Sequence, residues 1–418
     1  MDLGIRPALP IVIDCYRFSF WTSVGKFIAA LKHSNRVCFV RLKIESSKLG
    51  RMAKAMQKPF PVLTYLEICS IGRTISVLSA KFLRGSAPSL ERIHLQGIPF
   101  PALPKLLLSA SHLVTLKLDN IPPTGYISPK AMVVGLAALH KLKTFVIDFQ
   151  SAIPRSDRIH PPPPPTTRAV IPALTFFGFR GASNYLEDLV SRIDAPQLTQ
   201  IRIDISNKFV DFQVAQLSKF VDRSVGLELT LFRHAHVTFS NHGVAFNISH
   251  EPRITSLFSD NPTTLISCQG IDWQVSHLAH VLSQIPATLS NVAHLDISAD
   301  AFGFRLEGQD DFDWLHLLRQ FPTVQTLRVH RRRFAERIAL ALESITAEMV
   351  AEVLPSLNSI SLADQPASSI KKFLDLRQLS GRPVTFINLA TVLEDSSPTW
   401  TISRCSLPVA HSRTWRFT

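Results

Sequence analysis

SHLVTLKLDN, residues Ser111 to Asn120, carries the pattern on which the predicted architecture is based. It contains the frame L-x-x-L-x-L, with leucines at positions 113, 116 and 118. The second half of this frame is typical of a short strand, because successive side chains of a strand point to opposite faces. Leu116 and Leu118 are therefore expected to face a core, and Thr115 and Lys117 to face away from it.

The frame recurs along the chain, and its recurrence is more informative than any single copy. The other copies are Val37/Val40/Leu42, Leu63/Leu66/Ile68, Leu90/Ile93/Leu95, Leu142/Phe145/Ile147, Leu174/Phe177/Phe179, Leu198/Ile201/Ile203, Val292/Leu295/Ile297, Val324/Leu327/Val329 and Leu357/Ile360/Leu362. Within each of the two blocks, the central apolar residues are 23 (Ile93 to Leu116) to 33 (Leu327 to Ile360) residues apart. This period and this frame are those of leucine-rich repeats.

One such repeat cannot bury its apolar face alone, so neighbouring repeats must stack into a continuous core. The predicted fold class is α/β: a leucine-rich-repeat solenoid over residues 1–386, with a curved, mainly parallel sheet and helices on its convex side. Residues 225–270 lose the frame and alternate with period two, which predicts an irregular β segment in the same sheet. Residues 387–418 show neither pattern and are predicted to be a poorly ordered tail.

Residues 150–172 interrupt the repeats and contain five consecutive prolines, Pro161 to Pro165. Such a run excludes helix and central strand and favours polyproline II. We interpret it as a surface insertion within one repeat; a docking segment for a proline-recognising domain is the alternative.

The clearest predicted helix follows the frame at Leu174. Asn184 is placed to cap its first turn, and Glu187 lies three residues further on, as in a capping box. The helix is expected to end before Pro196, which cannot continue it. Elsewhere, Pro129 is predicted to lie in the first turn of a helix.

Composition narrows the class of protein. The chain has 418 residues, of which 46% are hydrophobic, and a net charge of +13. No apolar run reaches the 18 residues expected of a membrane span. Five cysteines are scattered without a C-x-x-C motif, which indicates reduced thiols and a cytoplasmic or nuclear protein.

Sequence motifs for catalysis are absent: there is no G-x-S-x-G, P-loop, G-x-G-x-x-G or H-E-x-x-H. His234 and His236 share one face of a predicted strand, but no cysteine or paired carboxylate accompanies them as a metal site would require. The sequence therefore predicts no enzyme, no catalytic residue, no cofactor and no metal site.

What remains is the row of side chains that flank the central apolar residue of each frame and point away from the core. Tyrosine, arginine and histidine are residue types that dominate binding energies at interfaces. The candidate partner-binding residues are Tyr65, Glu67, Arg92, His94, Lys117, Gln200, Arg202, His294, Asp296 and Arg328. We expect them to bind a protein on a concave wall; a basic nucleic-acid-binding solenoid is the alternative that the net charge leaves open.

Several segments also resemble one protein family. They are 56–66 (MQKPFPVLTYL), 97–110 (GIPFPALPKLLLSA), 120–129 (NIPPTGYISP), 185–196 (YLEDLVSRIDAP) and 377–384 (RQLSGRPV). Over about residues 7–386 the chain resembles the fungal (basidiomycete) F-box proteins with leucine-rich repeats. The resemblance implies a substrate receptor of a cullin-RING (SCF) ubiquitin ligase, in which an F-box preceding the repeats binds the ligase adaptor. No F-box is recognised here, since Arg6-Pro7-Ala8-Leu9-Pro10 already resembles the lead into the first repeat. Adaptor binding is therefore expected only if an F-box is supplied upstream.

Overall fold

The structure is a computed structural model. It describes residues 9–15, 24–72, 76–151, 167–205, 214–224, 227, 232–240, 243–249, 264–269, 274–285, 289–299 and 311–387. The five prolines at 161–165, two of the alternating leucines (Leu229 and Leu231) and positions 388–418 of the predicted tail lie outside these residues.

Strands account for most of the repeat pattern. They are β1 Ile11–Cys15, β2 Val37–Glu45, β3 Tyr65–Ile71, β4 Arg92–Gln96, β5 Thr115–Ile121, β6 Thr144–Phe149, β7 Ala169–Val170, β8 Phe176–Gly181, β9 Ile193–Asp194, β10 Gln200–Ile205, β11 His234–Ser240, β12 Gly243–Ser249, β13 Thr264–Gln269, β14 His294–Ala299, β15 Thr326–Val329, β16 Ser359–Leu362 and β17 Thr385–Phe386.

Helices separate most of these strands. They are α1 Val24–Leu31, α2 Ser46–Ala55, α3 Leu103–Leu107, α4 Pro129–Leu136, α5 Ser183–Ser191, α6 Ala215–Arg223, α7 Gln274–Ser283, α8 Asp311–Arg319, α9 Arg332–Glu343 and α10 Lys371–Leu379. Short 3₁₀ turns occur at Phe82–Gly85, Pro123–Gly125, Met349–Ala351 and Ala367–Ile370.

One sheet contains fifteen of the strands, in the order β1-β2-β3-β4-β5-β6-β8-β10-β13-β12-β11-β14-β15-β16-β17. All of its pairings are parallel except the two made by β12. Every one of the ten frames ends in a strand of this sheet, so the predicted α/β class with a large, mainly parallel sheet is confirmed. The remaining two strands, β7 and β9, form a separate parallel pair.

The three apolar residues of every frame are buried, and none of them is more than 3% exposed. Their central residues are paired in register from strand to strand: Val40 with Leu66, Leu66 with Ile93, and Ile93 with Leu116. Side chains from the helices join the same apolar cluster. Burial of each such side chain contributes about 1.5–3 kcal/mol, which makes the frame the main determinant of the core.

A repeated backbone contact fixes the register. The carbonyl just before a strand accepts hydrogen bonds from two consecutive amides of the next repeat, as Glu91 does from Val114 (2.8 Å) and Thr115 (3.0 Å). The same contact is made by the carbonyls of Thr64, Val114, Lys143, Thr175, Arg233, Ala293 and Gln325. Because both amides are bound to one carbonyl, each repeat is aligned with its neighbour at the point where their strands begin to pair.

The antiparallel strand marks a change in the order of the chain. After β10 and α6 the chain passes to β11, returns along β12 and β13, and reaches β14 after α7. As a result β13 lies beside β10, β11 lies beside β14, and β12 runs between them in the opposite direction. The parallel stack continues on both sides of this strand.

Helix α5 departs from the predicted capping box. Its N-cap is Ala182, not Asn184, whose side chain accepts a hydrogen bond from the amide of Tyr185 at 2.8 Å. The carboxylate of Glu187 instead accepts hydrogen bonds from the backbone amides of Gln216 (2.7 Å) and Leu217 (2.9 Å), which lie in the first turn of α6. The prediction was wrong because packing brings the start of the next helix within reach of Glu187.

Capping between neighbouring helices recurs elsewhere. Glu343 of α9 accepts the amide of Lys372 in α10 at 2.9 Å, and Gln284 accepts the amide of Val214 just before α6 at 2.7 Å. Helix α4 has a local cap: Ser128 accepts the amide of Ala131, and Pro129 is in the first turn as predicted.

We predict that Glu187→Ala lowers the free energy of unfolding by about 1–2 kcal/mol, because two amides at the start of α6 lose their acceptor. Chemical denaturation monitored by circular dichroism measures the change. Asp188→Ala on the same helix is the control: it removes only the Asp188–Arg192 pair, worth about 0.2–0.5 kcal/mol. Equal losses for the two variants would contradict the capping role of Glu187.

Candidate functional site

The large sheet has one face in the apolar core and a second face that carries the residues flanking the central residue of each frame. We call this second face the open face. Most of its side chains are half-buried or exposed, with Arg92, Arg202 and Arg328 among the exposed ones. The pairing register arranges them in rows across the strands.

All ten predicted residues lie on the open face. One row contains Tyr65, Arg92, Gln200 and His294, and the next row contains Glu67, His94, Lys117, Arg202, Asp296 and Arg328. The structure brings them together as two groups, Tyr65 to Lys117 at one end and His294 to Arg328 at the other. Gln200 and Arg202 lie between these groups on β10.

The carboxylate of Glu67 is the centre of the first group. Its Oε2 accepts a hydrogen bond of 2.5 Å from the hydroxyl of Tyr65 and lies 2.9 Å from Nε of Arg41. Its Oε1 lies 3.5 Å from Nδ1 of His94, whose Nε2 is 2.6 Å from Oδ2 of Asp119. Glu67 is only 4% exposed, so it positions its neighbours and offers little surface of its own.

Two rings form the apolar part of this group. Phe39 and Tyr65 stack with centroids 4.3 Å apart and planes 13° apart. Burial of Tyr65, followed by its hydrogen bond to Glu67, raises the pKa of the phenol to about 12. Tyr65 is therefore a neutral hydrogen-bond donor at physiological pH, and the group presents a fixed aromatic and charged surface.

A row of aspartates, Asp119, Asp148 and Asp204, crosses the middle of the open face. It lies two residues further along the strands than the row that contains Lys117 and Arg202. Arg180 lies between two of them, with Nε 3.3 Å from Oδ2 of Asp204 and 3.9 Å from Oδ1 of Asp148. Burial raises the pKa of Asp148 to about 6; nearby Asp119 and Asp204 also raise it, whereas Arg180 and the amide of Asn120 oppose the shift. The sequence analysis considered only the two residues that flank the central position of each frame, so it missed this row. The alternation of inward and outward side chains continues along the strand and could have predicted it.

The second group lies where β11, β14 and β15 meet. The rings of His234 and His294 stack with centroids 4.5 Å apart and planes 13° apart. Oδ1 of Asp296 is 3.2 Å from Nε2 of His330. A cavity of about 100 Å³ is lined by His234, His294, Leu295, Asp296, Thr326 and Arg328. His234 was not among the predicted residues, because only the pairing of β11 with β14 places it beside His294.

A second cavity lies at the end of the sheet between β5, β6 and α5. Its lining is mostly apolar and includes Ile121, Tyr126, Phe149 and Tyr185. The buried hydroxyl of Tyr185 makes no hydrogen bond, and burial raises its pKa well above the ordinary value. This cavity brings no nucleophile and base together.

No metal site is formed in the part of the chain that the structure describes, since no group of three or more His, Cys, Asp or Glu side chains there is arranged to hold a metal ion. Three of the cysteines there, Cys15, Cys38 and Cys69, are free thiols. None of the helices described above has the length and apolar character needed to cross a membrane.

Comparisons with known proteins give a limited result. No family model matches the chain, and no curated protein matches it. Among solved structures, it is similar to the leucine-rich repeat-containing protein LegL7 from Legionella pneumophila, with 13% identity and a TM-score of 0.28, over 90% of this chain and 99% of that one. This similarity is too low to decide the fold, which follows from the strand pairing described above.

The raised pKa of Asp148 predicts a pH-dependent stability difference. The pKa of Asp148 is about 6 in the folded protein and near the ordinary value of 3.8 in the unfolded chain. Its contribution to the free energy of unfolding is therefore complete below pH 3.8 and is lost as the pH rises through 6. We expect Asp148→Asn to gain stability relative to the wild type between pH 4 and 7, by about 1 kcal/mol after allowance for solvent screening. Thermal unfolding at each pH measures this gain, with Asp222→Asn as the control for loss of an exposed charge. A difference that stays constant with pH would contradict the prediction.

Proposed function

We propose that this protein is a non-enzymatic repeat scaffold that captures a protein partner on the open face of its sheet. In this proposal the sheet is curved, as in a leucine-rich-repeat solenoid, with the open face concave and the helices on the convex side. The main support is the register, which gathers side chains from widely separated parts of the sequence into continuous rows. Such rows give the large, preformed surface that protein recognition uses.

The chemistry of the open face favours binding over catalysis. Its most buried carboxylate, Glu67, is occupied by Tyr65, Arg41 and His94. In the cavity lined by Thr326, His234 and His294, no hydrogen bond joins the threonine to either histidine among the described residues, and Asp296 contacts His330 instead. The relay of nucleophile, base and orienting group that catalysis needs is therefore not formed there. The fixed side chains are better suited to a preorganised interface, where less conformational entropy is lost on binding.

The distribution of charge favours a protein over a nucleic acid. Arginines on the open face are interspersed with the carboxylates of Glu67, Asp119, Asp148, Asp204 and Asp296. A phosphate backbone would meet repulsion from these groups at regular intervals. A protein surface with both signs of charge can complement them.

The further proposal is that the scaffold is related to F-box substrate receptors of SCF ubiquitin ligases. Its support is the sequence resemblance over about residues 7–386. In that role the open face would hold the protein to be ubiquitinated, and an F-box upstream would hold the ligase adaptor.

The capture role predicts that a partner cross-links to the open face and not to the helices. A photoreactive benzoylphenylalanine at Thr144 or Ser359, both on the open face, is expected to yield the same discrete protein adduct in extracts of cells that express the chain. The controls carry the same group at Val134 of α4 and Leu340 of α9, which are 55% and 54% exposed. Mass spectrometry identifies the adduct, and excess unmodified chain should compete for it.

Adducts formed equally from open-face and helix positions would contradict the proposal. Nucleic-acid adducts at Thr144 and Ser359 would replace it with the alternative of a nucleic-acid-binding scaffold.

The ligase relation is tested separately. We expect the chain alone not to bind the ligase adaptor, because no F-box is recognised in its sequence, and we expect the same chain fused behind an F-box module to bind it. Surface plasmon resonance with purified adaptor measures both. Tight binding by the unfused chain would contradict this expectation, while failure of the fusion would remove the ligase role without affecting the capture role.

A further inference from the structure

The cavity between β11, β14 and β15 is built from side chains that the register places side by side. His234, His294 and Thr326 lie in one row across the three strands, and Asp296 and Arg328 lie next to each other in the adjacent row. Four of these five side chains, all except Asp296, carry a group that can donate a hydrogen bond to a ligand on the open face. The cavity of about 100 Å³ is large enough for a small planar group.

Arg328, like Arg92 and Arg202, is an exposed arginine of the open face, and it is the one of these three that lines the cavity. Arg41 pairs with Glu67 and Arg180 pairs with Asp204, each at 3.3 Å or less. Arg328 is exposed and makes no hydrogen bond or ion pair with any described side chain, although Asp296 is its neighbour in register. The oxygen of Asp296 is instead 3.2 Å from His330. An exposed guanidinium at the edge of a cavity is a ready contact for an oxyanion.

The stacked histidines add a second observation. Nδ1 of His234 is buried and has no hydrogen-bond partner. A buried polar atom without a partner is destabilising, so an occupant of the cavity that forms a hydrogen bond with it would recover part of that free energy. The hydroxyl of Thr326 lies on the other side of His294 in the same row, and it offers one more donor.

We propose that this cavity binds the side-chain carboxylate of a glutamate or aspartate from an acidic segment of the protein partner. The inference rests on the proposed function for the source of the carboxylate. Arg328 supplies the charge-assisted contact, and Thr326 and the imidazoles supply neutral donors. The net charge of +13 favours the approach of an acidic segment.

Asp296 forms a negatively charged wall of the cavity. Asp296 is charged at neutral pH, because the hydrogen bond and charge of His330, with His236 and Arg328, lower its pKa despite burial. It repels any anion that enters the cavity. For a phosphate dianion, this repulsion and the attraction of Arg328 are both about twice those for a carboxylate at the same distances. The charge of the anion alone therefore does not decide between the two, and phosphate serves as a competitor in the test.

The two histidines make the affinity of the site for a carboxylate depend on pH. Burial lowers the pKa of both His234 and His294, and so does Arg328; Arg233 acts on His294 in the same direction, while Asp296 opposes the shift in each. On the other side of His234, β12 places the uncharged Ser249. A bound carboxylate favours the charged imidazoles and raises their pKa, so binding takes up protons and affinity must increase as the pH falls.

The test uses the full chain with ¹³C-labelled histidine and follows the Cε1–H signals of its 15 histidines. His234→Gln and His294→Gln assign the two signals of the stacked pair. The probe is N-acetylglutamate α-amide, which has one side-chain carboxylate, and the matched neutral control is N-acetylglutamine α-amide. We expect saturable shifts of both signals with the glutamate probe only. Affinity should rise from pH 8 to pH 6 by up to about tenfold for each unit of pKa increase in the bound state.

Variants locate the contact. Arg328→Gln should weaken the glutamate probe about tenfold or more, Arg328→Lys should retain part of the affinity, and Arg51→Gln, at an exposed arginine of α2, should leave it unchanged. These side chains are exposed, so circular dichroism should show no loss of fold.

Equal shifts with the two probes, unchanged affinity in Arg328→Gln, or tighter binding of inorganic phosphate than of the glutamate probe would each overturn the assignment. The titration needs no partner, so its failure would leave the cross-linking test of the proposed function intact.

Discussion

The structure depends on the contact between one backbone carbonyl and two consecutive amides of the next repeat. This contact recurs at eight positions, from Thr64 to Gln325. It sets the register, and a shift of one residue would exchange every core side chain with one from the open face. The buried ladder from Val40 to Ile201 and the polar rows opposite it are therefore two results of the same constraint.

The open face shows how charges are stabilised on one face of a sheet. Parallel strands bring like side chains into rows, and neighbouring carboxylates would repel one another without compensation. Glu67 is compensated by Arg41 and His94, and Asp204 by Arg180. Asp148 is compensated less well, which is why burial raises its pKa to about 6. Arg328 is the reverse case: a positive charge whose neighbouring carboxylate has another partner.

The antiparallel strand β12 places unrelated parts of the sequence in contact. It allows β11 to pair with β14, across the intervening strands β12 and β13 and helix α7. The stacked pair of His234 and His294 exists only because of this pairing. A regular stack would have placed a side chain from β10 beside β14. The irregular segment is thus the part of the sheet that creates its polar cavity.

The sequence by itself determined the repeating unit, the strand positions and the side of each strand that enters the core, as at Leu116 and Leu118. These follow from local periodicity, since burial of apolar side chains dominates the free energy of the fold. Only the tertiary structure decided which side chains meet: Glu187 caps the following helix, Glu67 is enclosed by its neighbours, and His234 stacks on His294. The reason is physical. Periodicity specifies a direction relative to the core, but contacts between polar groups depend on the order of strands in the sheet, which no local pattern contains.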